Sequence, residues 1–487
     1  MNAIPDTGVT ASRCMVATGH PSAAQAALDV MEQGGSAIDA AIAADAILGV
    51  VEPMATSIGG DLLAMIVEPD GHVRSYNGTG RSPQGLSAAL VEALPGQRIP
   101  ERHALSLTTP GAVRGWHDLH NRYGRLPWNT LFRPAIELAA DGFAVAPVAA
   151  REWALFDRVL HADPVSAQLY RAGDPPSAGA RFCNPELTHT LDLIARHGAD
   201  AFYLGAPALA AEQASRAAGG VLTAQDFARH SGNFCAPVST RFRGIDVFEC
   251  PPNTHGVAIL HALNELEPQT LVHDDPDSVL RTVQAMGRAM AYARETVADP
   301  AGNTVCTVVV DQTGLAVTLM SSIFKRFGSG ISVPGGGFVL QNRGFGFSRP
   351  GHINGPAPGK RPYHTVVPGA ALRNGRFHAG FGVVGGLMQP QGQLQVLLRV
   401  AAHGQPLQAA LDAPRWRLES DTAVAVEAGM PPVVTEALRG AGYADPVGAG
   451  ELGGRSDFGG AQIVMRDHSG MLRGASDKRK DGTALGM

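Results

Sequence analysis

Asn303-Thr304-Val305-Cys306-Thr307-Val308-Val309-Val310-Asp311 is the stretch on which the reading of this 487-residue chain turns. Its β-branched run from Thr304 to Val310 predicts a buried strand, because such side chains suit a pleated, enclosed surface. Asp311-Gln312-Thr313-Gly314 predicts a turn, and Leu315 to Ser321 the returning strand of a hairpin. The pair Gly302-Asn303 precedes the strand, and the glycine-rich Phe327-Gly328-Ser329-Gly330 follows the hairpin. Cleavage of the Asn303–Thr304 bond would give Thr304 both a hydroxyl and a free α-amine. An α-amine titrates at about pH 8 and can serve as base for its own hydroxyl. From spacing alone, Thr304 reads equally as a plain strand residue.

Around this stretch the composition sets bounds. Apolar residues make up 45% and charged residues 17%, which fits a large layered core and excludes a disordered chain. A net charge of −5 argues against a general nucleic-acid binder. The basic run Lys478-Arg479-Lys480 reads as a solvated tail. Five cysteines, odd in number and without CxxC spacing, argue against a disulfide framework or a zinc site. Met1 to Arg13 lack a basic start and an apolar run, and no apolar stretch of about 18 residues is long enough to cross a bilayer. The expectation is a reduced, cytoplasmic protein with no membrane or nucleic-acid partner. No metal, nucleotide or flavin cofactor is implied.

Met15 to Thr18 predicts a strand, and Ser36 caps an alanine-rich helix from Ala37 to Val50 with Asp39 in its first turn. Ser57-Ile58-Gly59-Gly60-Asp61 is a glycine turn into a strand from Leu62 to Val67. Phe338 to Gln341 reads as a further strand. A long helix runs from Ser278 to Thr296, with Val279, Val283, Met286 and Met290 on one side. Helices packed around antiparallel hairpins, without regular βαβ alternation, give an α+β fold. Gly385-Gly386 either makes a tight turn between Val384 and Leu387 or brings two backbone N–H groups up to a reacting carbonyl. His364 alone reads as a core or surface histidine. Glu419 and Asp421 read as solvated turn charges.

Taken in order, several loops carry a more specific signal. They are Gly34-Gly35-Ser36-Ala37-Ile38-Asp39, Gly49-Val50-Val51-Glu52-Pro53, Ile58-Gly59-Gly60-Asp61, Thr109-Pro110-Gly111, Gly219-Gly220-Val221-Leu222-Thr223, Phe327-Gly328-Ser329-Gly330, Tyr363-His364-Thr365, Gly385-Gly386 and Asp412-Ala413-Pro414-Arg415-Trp416. This series resembles the gamma-glutamyltransferase (gamma-glutamyltranspeptidase) family of N-terminal-nucleophile hydrolases, almost end to end. The resemblance implies a four-layer αββα sandwich that cuts itself before a threonine. By position that residue is Thr304, with Thr307 and Cys306 as competitors. Strand alternation puts Cys306 on the face of Thr304. Residues 1–303 would form the large-subunit part and 304–487 the small one, staying together as one unit, with a homodimer of such pairs as a further association. The resemblance gives Gly385 and Gly386 the oxyanion role, where losing one donor costs about 3 kcal/mol of barrier. It places Thr365 and His364 where the family has a serine pair on the substrate carboxylate.

Departures from the family narrow the function. Glutathione-processing members carry an acid that holds the substrate's α-amino group, and here the matching run is Gln341-Asn342-Arg343-Gly344-Phe345-Gly346. The acid is absent. The arginine that grips the α-carboxylate has a displaced counterpart, Arg81. The pattern around Thr304, Asn342, Arg343 and His364 looks closer to the non-glutathione, oxamate amidohydrolase-like and acylase-like branch. The expected activity is that of a self-processing amidohydrolase or acyltransferase. Its substrate would be a small amide with a carboxylate, contacted by Thr365, His364, Arg81, Asn342 and Arg343. Two alternatives stand: a true gamma-glutamyltransferase or glutathione hydrolase, and an uncleaved, non-catalytic homologue. The second arises because the segment from Val297 to Asn303 is short for the family.

Overall fold

The hairpin forms as expected: strands Asn303–Val310 and Ala316–Phe324 pair antiparallel. Asp311 closes the turn, its Oδ1 accepting from Thr313 N–H at 2.8 Å and Leu315 N–H at 3.2 Å. This computed structural model describes residues 8–297, 303–444 and 458–487, with Asn303 described by its backbone alone. The segment from Val297 to Asn303 that is short for the family lies, at residues 298–302, outside the described residues.

Two seven-stranded antiparallel sheets organise the rest. The first runs Thr483–Gly486, Met15–Thr18, Asn303–Val310, Ala316–Phe324, Asp61–Val67, Val73–Asn77, Asn233–Cys235. The second runs Val9–Ala11, Leu472–Ser476, Gly460–Arg466, Arg376–Val384, Gly369–Arg373, Ile245–Glu249, Val238–Phe242. Alternation along one strand shows the layering. Cys306, Val308 and Val310 join Met320, Ala370 and Val464 between the sheets. Val305 and Val309 point the other way, into a helical layer with Ile38, Ala41 and Leu48. On the outer face of the second sheet, Val247, Phe381 and Ile463 pack on helices through Ile259, Met286 and Leu394. The order is helix, sheet, sheet, helix, the expected αββα sandwich. Parts of the chain before and after Thr304 alternate within both sheets.

The alanine-rich helix Ala37–Val51 is buried along its length. Ser36 and Asp39 form a reciprocal cap, and Ala37 N–H donates to Asp311 Oδ2 at 3.1 Å, tying the helix to the hairpin turn. Small side chains let it lie close on the sheet.

Several expectations are corrected. Residues 338–341 form no strand, only an isolated bridge between Ser332 and Val339. Arg479 and Lys480 are no tail: Arg479 binds Glu427 at 2.6 Å and Asp477 at 3.0 Å, and Lys480 binds Glu152 at 2.9 Å. They link a strand of one sheet, Leu472–Ser476, to a strand of the other, Thr483–Gly486, so the run passes through the body. Lys478 stays exposed. Glu419 and Asp421 are exposed at their turn, as expected, with surface pairs to Arg417 at 3.2 Å and Arg294 at 2.8 Å. All five cysteines are free, and among the described residues no helix is long and apolar enough to cross a membrane.

Candidate active site

Thr304 lies at the start of the third strand of the first sheet, next to the central one, and is buried. Opposite it the ladder slips: Asn303 pairs with Phe324 and Val305 with Ser321, so Ser322 and Ile323 together face Thr304. Such a bulge re-aims side chains and is common beside active sites. Thr304 Oγ1 accepts a hydrogen bond of 2.6 Å from Gln389 Nε2. Its competitors are engaged elsewhere. Burial pushes the Cys306 thiol far above its ordinary range. Thr307 Oγ1 shares a 2.7 Å hydrogen bond with Thr18 Oγ1.

Gln389 stands in the first turn of the helix Met388–Leu397, just beyond Gly385-Gly386. Both glycines take positive φ, 116° and 64°, where a side chain is strained. Their carbonyls accept from the helix start, Met388 N–H at 3.1 Å and Gln389 N–H at 3.0 Å. Among the described residues neither glycine N–H donates to a protein acceptor. That is the state in which a pair of donors is open to an oxyanion.

On the bulge side lies a buried polar cluster centred on Asp61, the first residue of the strand Asp61–Val67. Gly60 lets it come close: a Cβ there would lie 2.5 Å from Ser322 O. Asp61 Oδ1 accepts from Gly80 N–H at 2.7 Å and Gln341 Nε2 at 2.8 Å. Its Oδ2 faces His364 Nε2 at 3.2 Å and Arg343 Nε at 3.8 Å. His364 Nδ1 accepts from Val366 N–H at 3.2 Å, so the proton of the neutral ring sits on Nε2 and points at Asp61. Arg343 spreads over the cluster, donating to Thr365 Oγ1 at 3.2 Å and Ser322 Oγ at 3.0 Å, with Phe324 under its plane at 4.1 Å.

Charge in the cluster follows from these contacts. Burial works to raise the Asp61 carboxyl, but the His364 hydrogen bond, the Arg343 charge and the Gln341 hydrogen bond hold it below its ordinary value. Burial, then the Arg343 charge, lowers His364 to about 4. Burial pulls Arg343 down to about 9, against the pull of Asp61. At neutral pH the site is therefore Asp61⁻, Arg343⁺ and neutral His364.

The structure brings together Thr365, His364 and Arg343 but separates the other two candidate contacts. Asn342 is spent on backbone, its Nδ2 donating to Glu101 O at 2.7 Å and its Oδ1 accepting from Lys325 N–H at 3.1 Å. Arg81 is exposed and reaches Gly359 O at 3.4 Å. Sequence reasoning missed Asp61 as the hub, Ser322 at the bulge and Gln389 on Thr304. Asp61 lies in a quoted motif; nothing local marks the other two. Among the described residues no His, Cys, Asp and Glu cluster has a metal-holding arrangement.

The chain as a whole is similar to several known proteins. A family model described as gamma-glutamyltranspeptidase matches residues 23–304 and 298–487. The oxamate amidohydrolase proenzyme of Klebsiella pneumoniae is 33% identical, across 97% of this chain and 98% of that protein. The glutathione hydrolase-like YwrD proenzyme of Bacillus subtilis is 30% identical, across 98% and 99%. Among solved structures, a cephalosporin acylase from Bacillus halodurans superposes with a TM-score of 0.92 at 34% identity, over 99% of this chain and 97% of that one.

Proposed function

This chain belongs to the gamma-glutamyltranspeptidase family and is an enzyme of its N-terminal-nucleophile hydrolase class; from that premise we propose that Thr304 is its nucleophile, released by self-cleavage at Asn303–Thr304. The free α-amine of Thr304 then takes the proton of its own hydroxyl, and Oγ1 attacks a substrate amide. Gly385 and Gly386 N–H groups receive the oxyanion. Water, or an acceptor amine, resolves the acyl-enzyme. The observation that carries this reading is the buried Thr304 hydroxyl, fixed at 2.6 Å by Gln389 in the first turn of the helix after the glycine pair.

The substrate is a small amide bearing a carboxylate. Thr365 and Ser322, whose hydroxyls Arg343 holds, are the groups proposed to meet that carboxylate. The residues at the place of the ammonium-binding acid are Phe345 and Gly346; Phe345 packs 6.0 Å from Phe324, and the Lys325 ammonium lies 5.3 Å from its ring, so a cation rather than a carboxylate stands there. That disfavours a γ-glutamyl group and favours the oxamate amidohydrolase-like and acylase-like branch. Residues 1–303 and 304–487 stay joined after the cut, because strands of both make up each sheet. The protein is assigned to the cytoplasm on its five free cysteines.

Hydrolysis of oxamate, succinamate and a γ-glutamyl anilide by wild type and Thr304→Ala tests this. Ammonia release from a carboxylate-bearing amide, lost in Thr304→Ala, is expected. Equal turnover by Thr304→Ala, or turnover of the anilide alone, would overturn the proposal.

A further inference from the structure

The Gln389 amide is engaged at both ends. Its Oε1 accepts from Val367 N–H at 3.2 Å, and its Nε2 donates to Thr304 Oγ1 at 2.6 Å. The first contact fixes the sense of the second. A backbone N–H only donates, so the end facing Val367 is the oxygen and the end facing Thr304 is the NH2. Thr304 Oγ1 is therefore the acceptor, with its own hydrogen turned away from Gln389.

Three other glutamines lie on this helix, and all are buried. Gln391 Nε2 donates to Leu418 O at 3.3 Å, and Gln395 Nε2 donates to Trp416 O at 2.9 Å, completing a neighbouring strand. Gln393 Nε2 donates to Val367 O, so Val367 is held on both its backbone groups. Among the described residues Gln389 alone of the four sends its NH2 to a side-chain hydroxyl.

We infer that Gln389 is a catalytic residue, whose amide N–H stabilises Thr304 Oγ1 as that oxygen loses its proton. This rests on Thr304 as nucleophile. In self-cleavage Oγ1 bonds to the Asn303 carbonyl carbon, and the carbonyl π pair moves onto oxygen. The Oγ1 proton ends on the Thr304 nitrogen as the C–N bond breaks. Water then splits the ester, leaving an Asn303 carboxylate and a Thr304 with free hydroxyl and amine. Gln389 gives up no proton. Its N–H···O contact strengthens as charge gathers on Oγ1, as charge-assisted hydrogen bonds do. It also confines proton removal to the opposite side of the oxygen.

The test uses cleavage of freshly translated full-length chain, followed by intact mass across pH 5.5 to 8.5. Gln389→Glu keeps the shape and an oxygen for Val367 N–H. Ionised, its second oxygen only accepts; protonated, it donates again. Gln389→Glu should cut about 100-fold slower than wild type at pH 8 and recover as the pH falls toward 5.5. Gln389→Met, which has no donor, should stay slow throughout. Wild-type rates in both variants would overturn the inference. So would Gln389→Glu matching Gln389→Met at every pH, since that marks a packing role only. If wild type itself fails to cut at Asn303–Thr304, the nucleophile assignment falls first and this inference falls with it.

Discussion

Arg343 Nε lies 3.8 Å from Asp61 Oδ2, with both side chains fully buried. The aspartate opens a strand of the first sheet, and the arginine belongs to the loop that follows the hairpin. Each keeps the other charged. Breaking such a pair from one side leaves an uncompensated buried charge, which costs about 3–5 kcal/mol.

Asp61→Asn should therefore lower the urea midpoint by an amount corresponding to about 3 kcal/mol and release Thr365 and Ser322 from their common donor. Arg343→Lys should do nearly as badly, because an ammonium has no fork to reach two hydroxyls at 3.2 and 3.0 Å. Chemical denaturation of the Thr304→Ala background separates this effect from cleavage.

The competing nucleophiles give a second prediction. Cys306→Ser and Thr307→Val should leave the cut between Asn303 and Thr304 in place and at wild-type extent. Thiol reagents should label exposed Cys183 and leave buried Cys306 untouched in the native protein. Fragment masses and a labelled peptide map check both.

Sheet-to-sheet packing beside the site is tight enough to read by mutation. A Cβ on Gly382 would lie 2.6 Å from Cys306 Sγ and 2.9 Å from Met320 Sδ. Gly382→Ala should cost about 1–3 kcal/mol, and adding Cys306→Ala should recover part of it. A double-mutant cycle with no coupling would contradict the placement of these strands.

Much of this was legible in the chain. The β-branched run at Thr304 forms the strand it predicts, Asp311-Gln312-Thr313-Gly314 turns, and Ser36 with Asp39 caps its helix, because each depends on neighbours a few residues away. The motif series carried the four-layer order. What local pattern could not carry were contacts across the chain. Gln389 meets Thr304 from 85 residues away, and His364 meets Asp61 from 303 away. Ser322 comes to face Thr304 through a bulge that has no composition of its own. Arg479 and Lys480 looked like a tail because their partners, Glu427 and Glu152, are distant in sequence.

Acid should weaken the fold through buried histidines. Burial lowers His230 and His255 to about 3 and His364 to about 4. A histidine whose folded value is lowered contributes its full share of stability above its ordinary 6.5, and loses it as pH falls toward the folded value. Burial raises Asp45 to about 6 and Glu52 to about 7, and these act in the opposite sense, costing stability as pH rises through that range. Glu249, raised well above its ordinary value by burial, acts with these two acids, and His378, lowered to about 4, acts with the histidines, whose own share is a decline in stability as pH falls from 7 to 5. His230→Phe, which keeps a ring against Tyr203, should flatten that decline by one group; thermal unfolding across pH measures it.

The most direct measurement is the intact mass of the purified protein after incubation at neutral pH, with N-terminal sequencing of any smaller fragment. The account predicts two species whose masses sum to the 50.7 kDa chain plus one water, the smaller beginning Thr304-Val305-Cys306. A folded chain that stays full length, or a fragment that begins at any other residue, would contradict it.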